Sequence, residues 1–308
     1  MIVTVTLNPA IDRTLVVKNL VTGGLNRTVY SRLDAGGKGI NVSKAISALG
    51  GESIACGVLG GKNGRYIRDT LTSMGIQHDF VEVPGETRTN IKIVTEAGVH
   101  TDINEPGSGV TESDFRRFTD RLNGYIRRGN MIVISGRVPP NLPVELYAGL
   151  CKSVTEANIP LIVDADGAFL RAALPARPEI VKPNVTELEQ ATGEKIDSPE
   201  AALRGARMLM EGGARMVAAS LGEMGAVFVS RTRAVFVQAP AVQAVGPVGA
   251  GDAMVGALAL AMEQKMRFEQ AARYAVAAGT ASITMPGTRM APLKTVLEIY
   301  EKVKAVNL

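Results

Sequence analysis

Short apolar runs bounded by Gly, Asn or Asp alternate along most of this chain with stretches in which apolar residues recur every three or four positions. Residues 2–7, 53–59, 131–134, 161–163, 216–220 and 226–229 read as buried strands, because they are short, β-rich and apolar on both faces. Helical spacing covers 40–49, 64–74, 112–126, 143–157, 199–211 and 253–262. Thr111-Glu112-Ser113-Asp114 supplies a capping-box pattern at the start of the third of these, and Ser198 precedes the fifth. Alternation of buried strands with helices predicts a mainly parallel sheet covered on both faces, a three-layer α/β/α core.

Two segments break the rhythm. Residues 13–34 hold Thr14-Leu15-Val16-Val17 and Thr28-Val29-Tyr30 with no helix between them, and residues 89–104 read as a hairpin turning at Glu96-Ala97-Gly98. Antiparallel ribbons cannot join the crossover rhythm of a parallel sheet, so they are expected to form a small sheet of their own. The expected division is a core of 1–12, 35–88 and 105–308 within one domain of 308 residues, with the small sheet built from 13–34 and 89–104. One face of such a sheet is apolar and exposed, which favours a homodimer through it.

Composition narrows the function. A formal net charge of +4, aromatics at 4% and no Trp give neither a phosphate-tracking basic run nor a stacking platform, so nucleic acid is not an expected partner. Cys56, Cys151, His78 and His100 have no zinc-ligand or disulfide spacing. The first residues lack a basic leader region, and no uncharged apolar run approaches the roughly 18 residues that span a bilayer, so a cytoplasmic protein without membrane contact is expected.

Chemistry gathers at two glycine turns. Gly249-Ala250-Gly251-Asp252 runs into an apolar helical stretch, and such a bare helix start presents unpaired N–H groups and a positive dipole end to an anion. If that anion is a nucleotide's γ-phosphate, Asp252 is placed to take a proton from an acceptor hydroxyl; the alternative is that Asp252 merely caps the helix. Gly36-Gly37-Lys38-Gly39-Ile40-Asn41 opens a second amphipathic helix in the same way.

Together these turns resemble the two signatures of the PfkB (ribokinase-like) carbohydrate kinases. Thr4 to Asp12, Gly24-Leu25-Asn26-Arg27, Gly85 to Asn90 and Lys182-Pro183-Asn184 with Glu187 resemble, in order along nearly the whole chain, its hexose-phosphate branch of 1-phosphofructokinases and tagatose-6-phosphate kinases. The resemblance implies a ribokinase-like α/β fold with the small sheet as a lid over the sugar, often paired with a second subunit's lid. It also implies ATP and Mg²⁺, and a hexose phosphate (fructose 1-phosphate, tagatose 6-phosphate or fructose 6-phosphate) as acceptor.

Carried over residue by residue, Asp252 is the base and Gly249, Ala250 and Gly251 the anion hole, while Asp12 and Asn41 read sugar hydroxyls and Gly36 and Gly37 let the backbone approach the ring. Lys38 and Arg88 are the expected clamp for the sugar's own phosphate, with Asn26, Arg27 and Ser135 as further contributors. For Lys38 the alternative is a solvated helix-start cation, and for Arg88 a surface ion pair. On the nucleotide side stand Lys182, Asn184, Ser220, Gly222, Gly225 and Gly287. Glu187 is expected to hold Mg²⁺ through water, or only to close a capping box with Asn184; Asp164 joins the metal network, or caps residues 167–172. Gly246-Pro247 departs from relatives that carry a hydroxyl or Asp there, which puts a monovalent-cation contact in doubt. The competing readings are a kinase of an unphosphorylated sugar or nucleoside, and a non-catalytic sugar-phosphate-binding regulator.

Overall fold

A computed structural model of the chain describes residues 1–107, 109–126, 131–246 and 248–308. The first part runs β1 (Ile2–Thr6), β2 (Ala10–Val17), β3 (Thr28–Gly36), α1 (Lys38–Ala48), β4 (Ser53–Leu59), α2 (Gly61–Ser73), β5 (Gln77–Glu82), β6 (Arg88–Thr95) and β7 (His100–Asn104). Next come α3 (Glu112–Ile126), β8 (Met131–Ser135), α4 (Val144–Glu156), β9 (Leu161–Asp164), α5 (Gly167–Ala173), β10 (Ile180–Val181), α6 (Val185–Thr192) and α7 (Pro199–Glu211). The remainder is β11 (Met216–Ser220), β12 (Gly225–Ser230), β13 (Ala234–Gln238), α8 (Ala250–Glu263), α9 (Phe268–Ser282), α10 (Leu293–Tyr300) and β14 (Lys304–Asn307).

One ten-stranded sheet has the order β14-β13-β12-β11-β10-β9-β8-β1-β4-β5. From β5 to β11 neighbouring strands are parallel, and β12, β13 and β14 continue it antiparallel. Successive residues of the central strands feed opposite cores: Val3, Ile132 and Ile134 pack with Phe118, Leu122 and Leu150 on one side. Ile2, Val133 and Ile162 pack with Val42, Val255 and Leu258 on the other. Burial on both faces is why these strands read as unbroken apolar runs. The capping box at Thr111 forms as expected, with the Asp114 N–H donating to Thr111 Oγ1 and the Thr111 N–H to Asp114 Oδ2.

The antiparallel edge and the two helices after α8 were not foreseen. Helix α9 draws its buried face from Ala272, Ala275, Ala277, Ala278 and Ala281, which favour helix but give little contrast between apolar and polar positions. Strand β14 is mostly exposed, so no alternation marks it.

The small sheet is separate, in the order β3-β2-β6-β7. Its strands reach further than expected, since Ala10, Ile11, Asp12, Ala35, Gly36 and Arg88 all pair within it. The two ribbons are joined by parallel pairing of β2 with β6, which places Asp12 opposite Asn90. Among the described residues no helix is long and apolar enough to cross a membrane.

Helix α1 can lie on β1 only because Gly39 lacks a side chain. A Cβ there would run into the Thr6 hydroxyl and stand 2.6 Å from the Val5 carbonyl oxygen. Backbone cannot give way as a flexible side chain can, so Gly39→Ala is expected to lower stability by about 1–3 kcal/mol. A denaturant midpoint equal to the parent's would show that the contact is relieved elsewhere.

Candidate active site

The starts of α1 and α8 meet above the ends of the parallel strands, where open α/β sheets place their ligands. Gly249 is the N-cap of α8 with φ 92° and makes no side-chain cap bond. A left-handed cap suits glycine and leaves the following amides bare. Asp252 is therefore not the cap. It lies in the first turn, buried, and its Oδ2 accepts a hydrogen bond of 2.8 Å from Asn41 Nδ2 on α1.

Four charged side chains crowd the same end. Lys38 Nζ lies 3.2 Å from both Asp164 Oδ1 and Glu187 Oε1, and Lys182 Nζ lies 3.4 Å from Asp164 Oδ1. Ser135 donates its hydroxyl to Asp164 Oδ2 at 3.0 Å. Burial pushes Asp252 up to about 6, and repulsion from Asp164 adds to it, while Lys38, Asn41 and Lys182 oppose the rise. For Asp164 burial acts in the same upward direction, but Lys182, Lys38 and the Ser135 hydroxyl outweigh it and hold its carboxyl below the ordinary range. The two carboxylates are thus driven apart: one is held toward its charged form, the other is raised to about 6.

The opposite wall comes from the small sheet. Asp12 accepts from Asn90 Nδ2 at 3.0 Å and pairs with Lys92 Nζ at 3.4 Å. A Cβ at Gly36 would stand 2.7 Å from Asp12 Oδ2, so glycine makes room for that carboxylate. Arg88 Nη1 donates to Asn90 Oδ1 and the Glu105 carbonyl, both at 2.9 Å, and Nη2 to the Asn8 carbonyl at 3.3 Å. Its Nε is buried without a hydrogen-bond partner. Burial lowers the pKa of the Arg88 guanidinium, with the charge of Arg137 acting the same way.

A cavity of about 400 Å³ joins these groups, lined by Asp12, Gly37, Lys38, Asn41 and Arg88 on one side and by Lys182, Asn184, Ser220 and the Gly249–Asp252 turn on the other. A surface cavity of about 530 Å³ among Lys152, Arg177 and Arg215 is larger, but it holds neither a glycine turn nor a buried carboxylate.

Several expected residues stand elsewhere. Asn26 bonds within its own exposed turn, to the backbone of Val21 and Gly24, and Arg27 is exposed beside it; neither lines the cavity. Ser135 is buried behind Asp164. Gly222 has open space around it, whereas a Cβ at Gly225 would strike the Val237 carbonyl of the paired strand, so strand packing accounts for that glycine. Gly287 lies under Arg32 and Asp34 of β3. Glu187 closes the capping box with Asn184, and it also meets Lys38. Asp164 caps nothing; Asp166 precedes α5. Lys38 is no solvated cation, and Gly246 is described whereas Pro247 lies outside the described residues.

Asn90, Lys92, Asp102 and Asn104 line the cavity and were not foreseen. Residues 88, 90 and 92 are polar at period two, as are 100, 102 and 104, which is the signal of one polar sheet face.

The profile of the pfkB family of carbohydrate kinases matches residues 3–295. The chain belongs to that family. It is 35% identical over 283 residues to a 1-phosphofructokinase of Borreliella burgdorferi (92% of this chain, 91% of that protein). It is 39% identical over 282 residues to a 1-phosphofructokinase of Xanthomonas campestris pv. campestris (89% of this chain, 88% of that protein). The crystal structure of phosphofructokinase-2 from Escherichia coli in complex with substrates and products superimposes with a TM-score of 0.92 at 32% identity, covering 98% of each chain. The chain is therefore an enzyme, a carbohydrate kinase that transfers phosphate to an alcohol.

The raised pKa of Asp252 has two measurable consequences. A base that titrates near 6 gives kcat/KM an acidic limb, with activity falling about tenfold per pH unit below it. Between the unfolded-chain value of about 4 and that point, the folded state keeps a proton that the unfolded state releases, so folding stability falls as pH rises through the window. Asp252→Asn is accordingly expected to lower kcat by at least about 10²-fold. It should also raise stability at pH 7.5 by on the order of 2–3 kcal/mol, a gain that vanishes below pH about 4. Thermal melts and turnover of the same variant check both; near-normal turnover would remove Asp252 from the chemistry.

Proposed function

We propose that this enzyme transfers the γ-phosphoryl group of ATP to a free hydroxyl of a ketohexose phosphate, with fructose 1-phosphate as the first candidate and fructose 6-phosphate or tagatose 6-phosphate next. The product is a ketohexose bisphosphate. The observation that carries this reading is one cavity in which a carboxylate poised near 6 and a bare helix start face a hydroxyl-reading carboxylate and a guanidinium with a spare buried donor. The names of the relatives support the choice of acceptor.

In this reading Asp12 and Asn41 bind sugar hydroxyls and hold one of them in line with the phosphoryl group. Asp252 takes its proton as the oxygen–phosphorus bond forms, and ADP leaves with the electrons of the bond that breaks. The amides of the Gly249–Gly251 turn receive the negative charge in transit. Lys182 adds a fixed positive charge, since a Cβ at Gly251 would lie 3.3 Å from its ammonium.

The phosphate clamp centres on Arg88. Lys38 is already countered by Asp164 and Glu187, and Lys92 by Asp12, so neither is left over to balance a sugar phosphate. Among the described residues Arg88 hydrogen-bonds only to neutral acceptors, the Asn90 side chain and the Glu105 and Asn8 carbonyls. Among the described residues no cluster of three or more His, Cys, Asp or Glu is placed to hold a metal. Asp164 and Glu187 fit Mg²⁺ only as an ion kept in its water shell between them and the nucleotide, where it would neutralise phosphate charge.

The lid has two faces. Strand register puts Asp12, Asn90, Asp102 and their neighbours toward the cavity, and Leu33, Ile91 and Ile103 on the other face in one row through Arg13. Leu33 is 45% and Ile103 53% exposed, and an apolar row of this kind is expected to be covered by a second copy. Light scattering at micromolar concentration should give a dimer. A fully active monomer would overturn this assignment.

The acceptor is tested with a coupled ADP-release assay on the three hexose phosphates, with ribose and adenosine as neutral controls. Arg88→Ala should raise the sugar-phosphate KM roughly tenfold or more and change the ATP KM much less. Faster turnover of ribose or adenosine than of any hexose phosphate would make this a neutral-acceptor kinase. Absence of ADP release with all three hexose phosphates would overturn this choice of acceptor.

A further inference from the structure

Lys44 takes no part in the chemistry above, yet it is a charged residue that is only 7% exposed. Its Nζ donates to the Ala35 carbonyl at 3.0 Å, to Asn41 Oδ1 at 3.2 Å and to Thr288 Oγ1 at 3.1 Å. An ammonium has three N–H donors and no acceptor, and here each acceptor comes from a different piece of the site. Ala35 lies next to the end of β3, just before Gly36 and Gly37, Asn41 lies on α1, and Thr288 lies in the loop between α9 and α10. The charges around it are Asp34 on β3, Asp12 on β2 and Asp252 on α8, with Lys92 on β6 opposing, and burial lowers its pKa. Neutral acceptors offset the desolvation of a buried ammonium poorly, so stability alone is a weak reason for a lysine at this position.

Asn41 explains what the ammonium accomplishes. Its side-chain amide has one acceptor end and one donor end, and the structure uses both: Oδ1 accepts from Lys44 and Nδ2 donates to Asp252. If the amide turned over, its oxygen would face the Asp252 carboxylate and its NH₂ would face the Lys44 ammonium, two repulsions in place of two hydrogen bonds. We propose that Lys44 is a positioning residue for phosphoryl transfer. It locks the Asn41 amide with its N–H toward Asp252 and ties that pair, through the same ammonium, to the end of β3 and to the Thr288 loop.

This inference rests on Asp252 acting as the base, and its test uses whichever acceptor the parent enzyme turns over, so the choice of sugar and the role of Lys44 fail separately. Lys44→Met is expected to lower kcat roughly tenfold while the KM values for ATP and sugar stay within about threefold, the split expected when transition-state alignment is lost and ground-state binding is kept. Lys44→Arg, which keeps charge and donors, should restore kcat to within about threefold of the parent. In an Asn41→Ala background, Lys44→Met should cost less than about a further twofold, because the residue through which Lys44 acts is already gone. Additive losses in that cycle would overturn the proposal, as would a parent-like kcat accompanied only by a lower melting temperature. If Lys44→Met does not fold, the cycle is run with Lys44→Gln, which retains an N–H donor without the charge. Loss of folding in both would assign Lys44 to stability alone and equally overturn the proposal.

Discussion

The hydrogen bond from Asn41 to Asp252 joins two helix starts that lie 211 positions apart in the chain, and the geometry of the site depends on it. Each helix opens on a glycine with positive φ, Gly37 at 111° and Gly249 at 92°. Each is pressed close to its surroundings: a Cβ at Gly37 would stand 2.8 Å from the Thr6 side chain. The bare amides of α8 and the buried carboxylate one turn into it are held against the sugar-side wall because α1 can approach β1 this closely. A glycine turn alone binds anions wherever it occurs. What distinguishes this one, and carries the proposed proton transfer, is a carboxylate fixed by an amide from the facing helix.

Charge in the site is arranged by opposition. Asp164 lies between two lysines and its carboxyl is held below the ordinary range, while Asp252, in the same field, is left with a neutral hydrogen-bond partner and is pushed toward neutrality. A fully paired Asp252 would be a stronger acid and a weaker base. The strain of burying it is therefore tied to what the site does, a local conflict of the kind that functional positions retain.

Much of this was legible in the sequence because local rules and the fold agree. The buried strands, the capped helices α3 and α7 and both glycine turns are written in spacing and in cap residues that act within a few positions. Other features depend on pairing that no local pattern specifies. Lys38 reads as a free cation until Asp164 and Glu187, 126 and 149 residues away, are brought to it by the order of strands β8, β9 and β10. Asn90 and Lys92 looked like ordinary strand residues, because the face they occupy becomes the site face only when β6 pairs in parallel with β2 and sets Asn90 beside Asp12. Ser135, by contrast, was expected to contribute to a phosphate contact, but it is buried and its hydroxyl is taken up by Asp164.

The small sheet shows how a period of two lets one element serve two surroundings. Residues at even positions on β6 and β7 face the cavity with Asn90, Lys92, Asp102 and Asn104, while odd positions carry Ile91, Ile93 and Ile103 away from it. A one-residue slip of either strand would exchange the faces, placing isoleucines against the cavity and charges on the outer surface. Register is held at the junction with the core by Arg88, whose guanidinium bonds the backbone of Asn8 and Glu105 on either side of the strand. The residue proposed to grip a substrate phosphate is thus also one that pins the alignment of the face on which it stands.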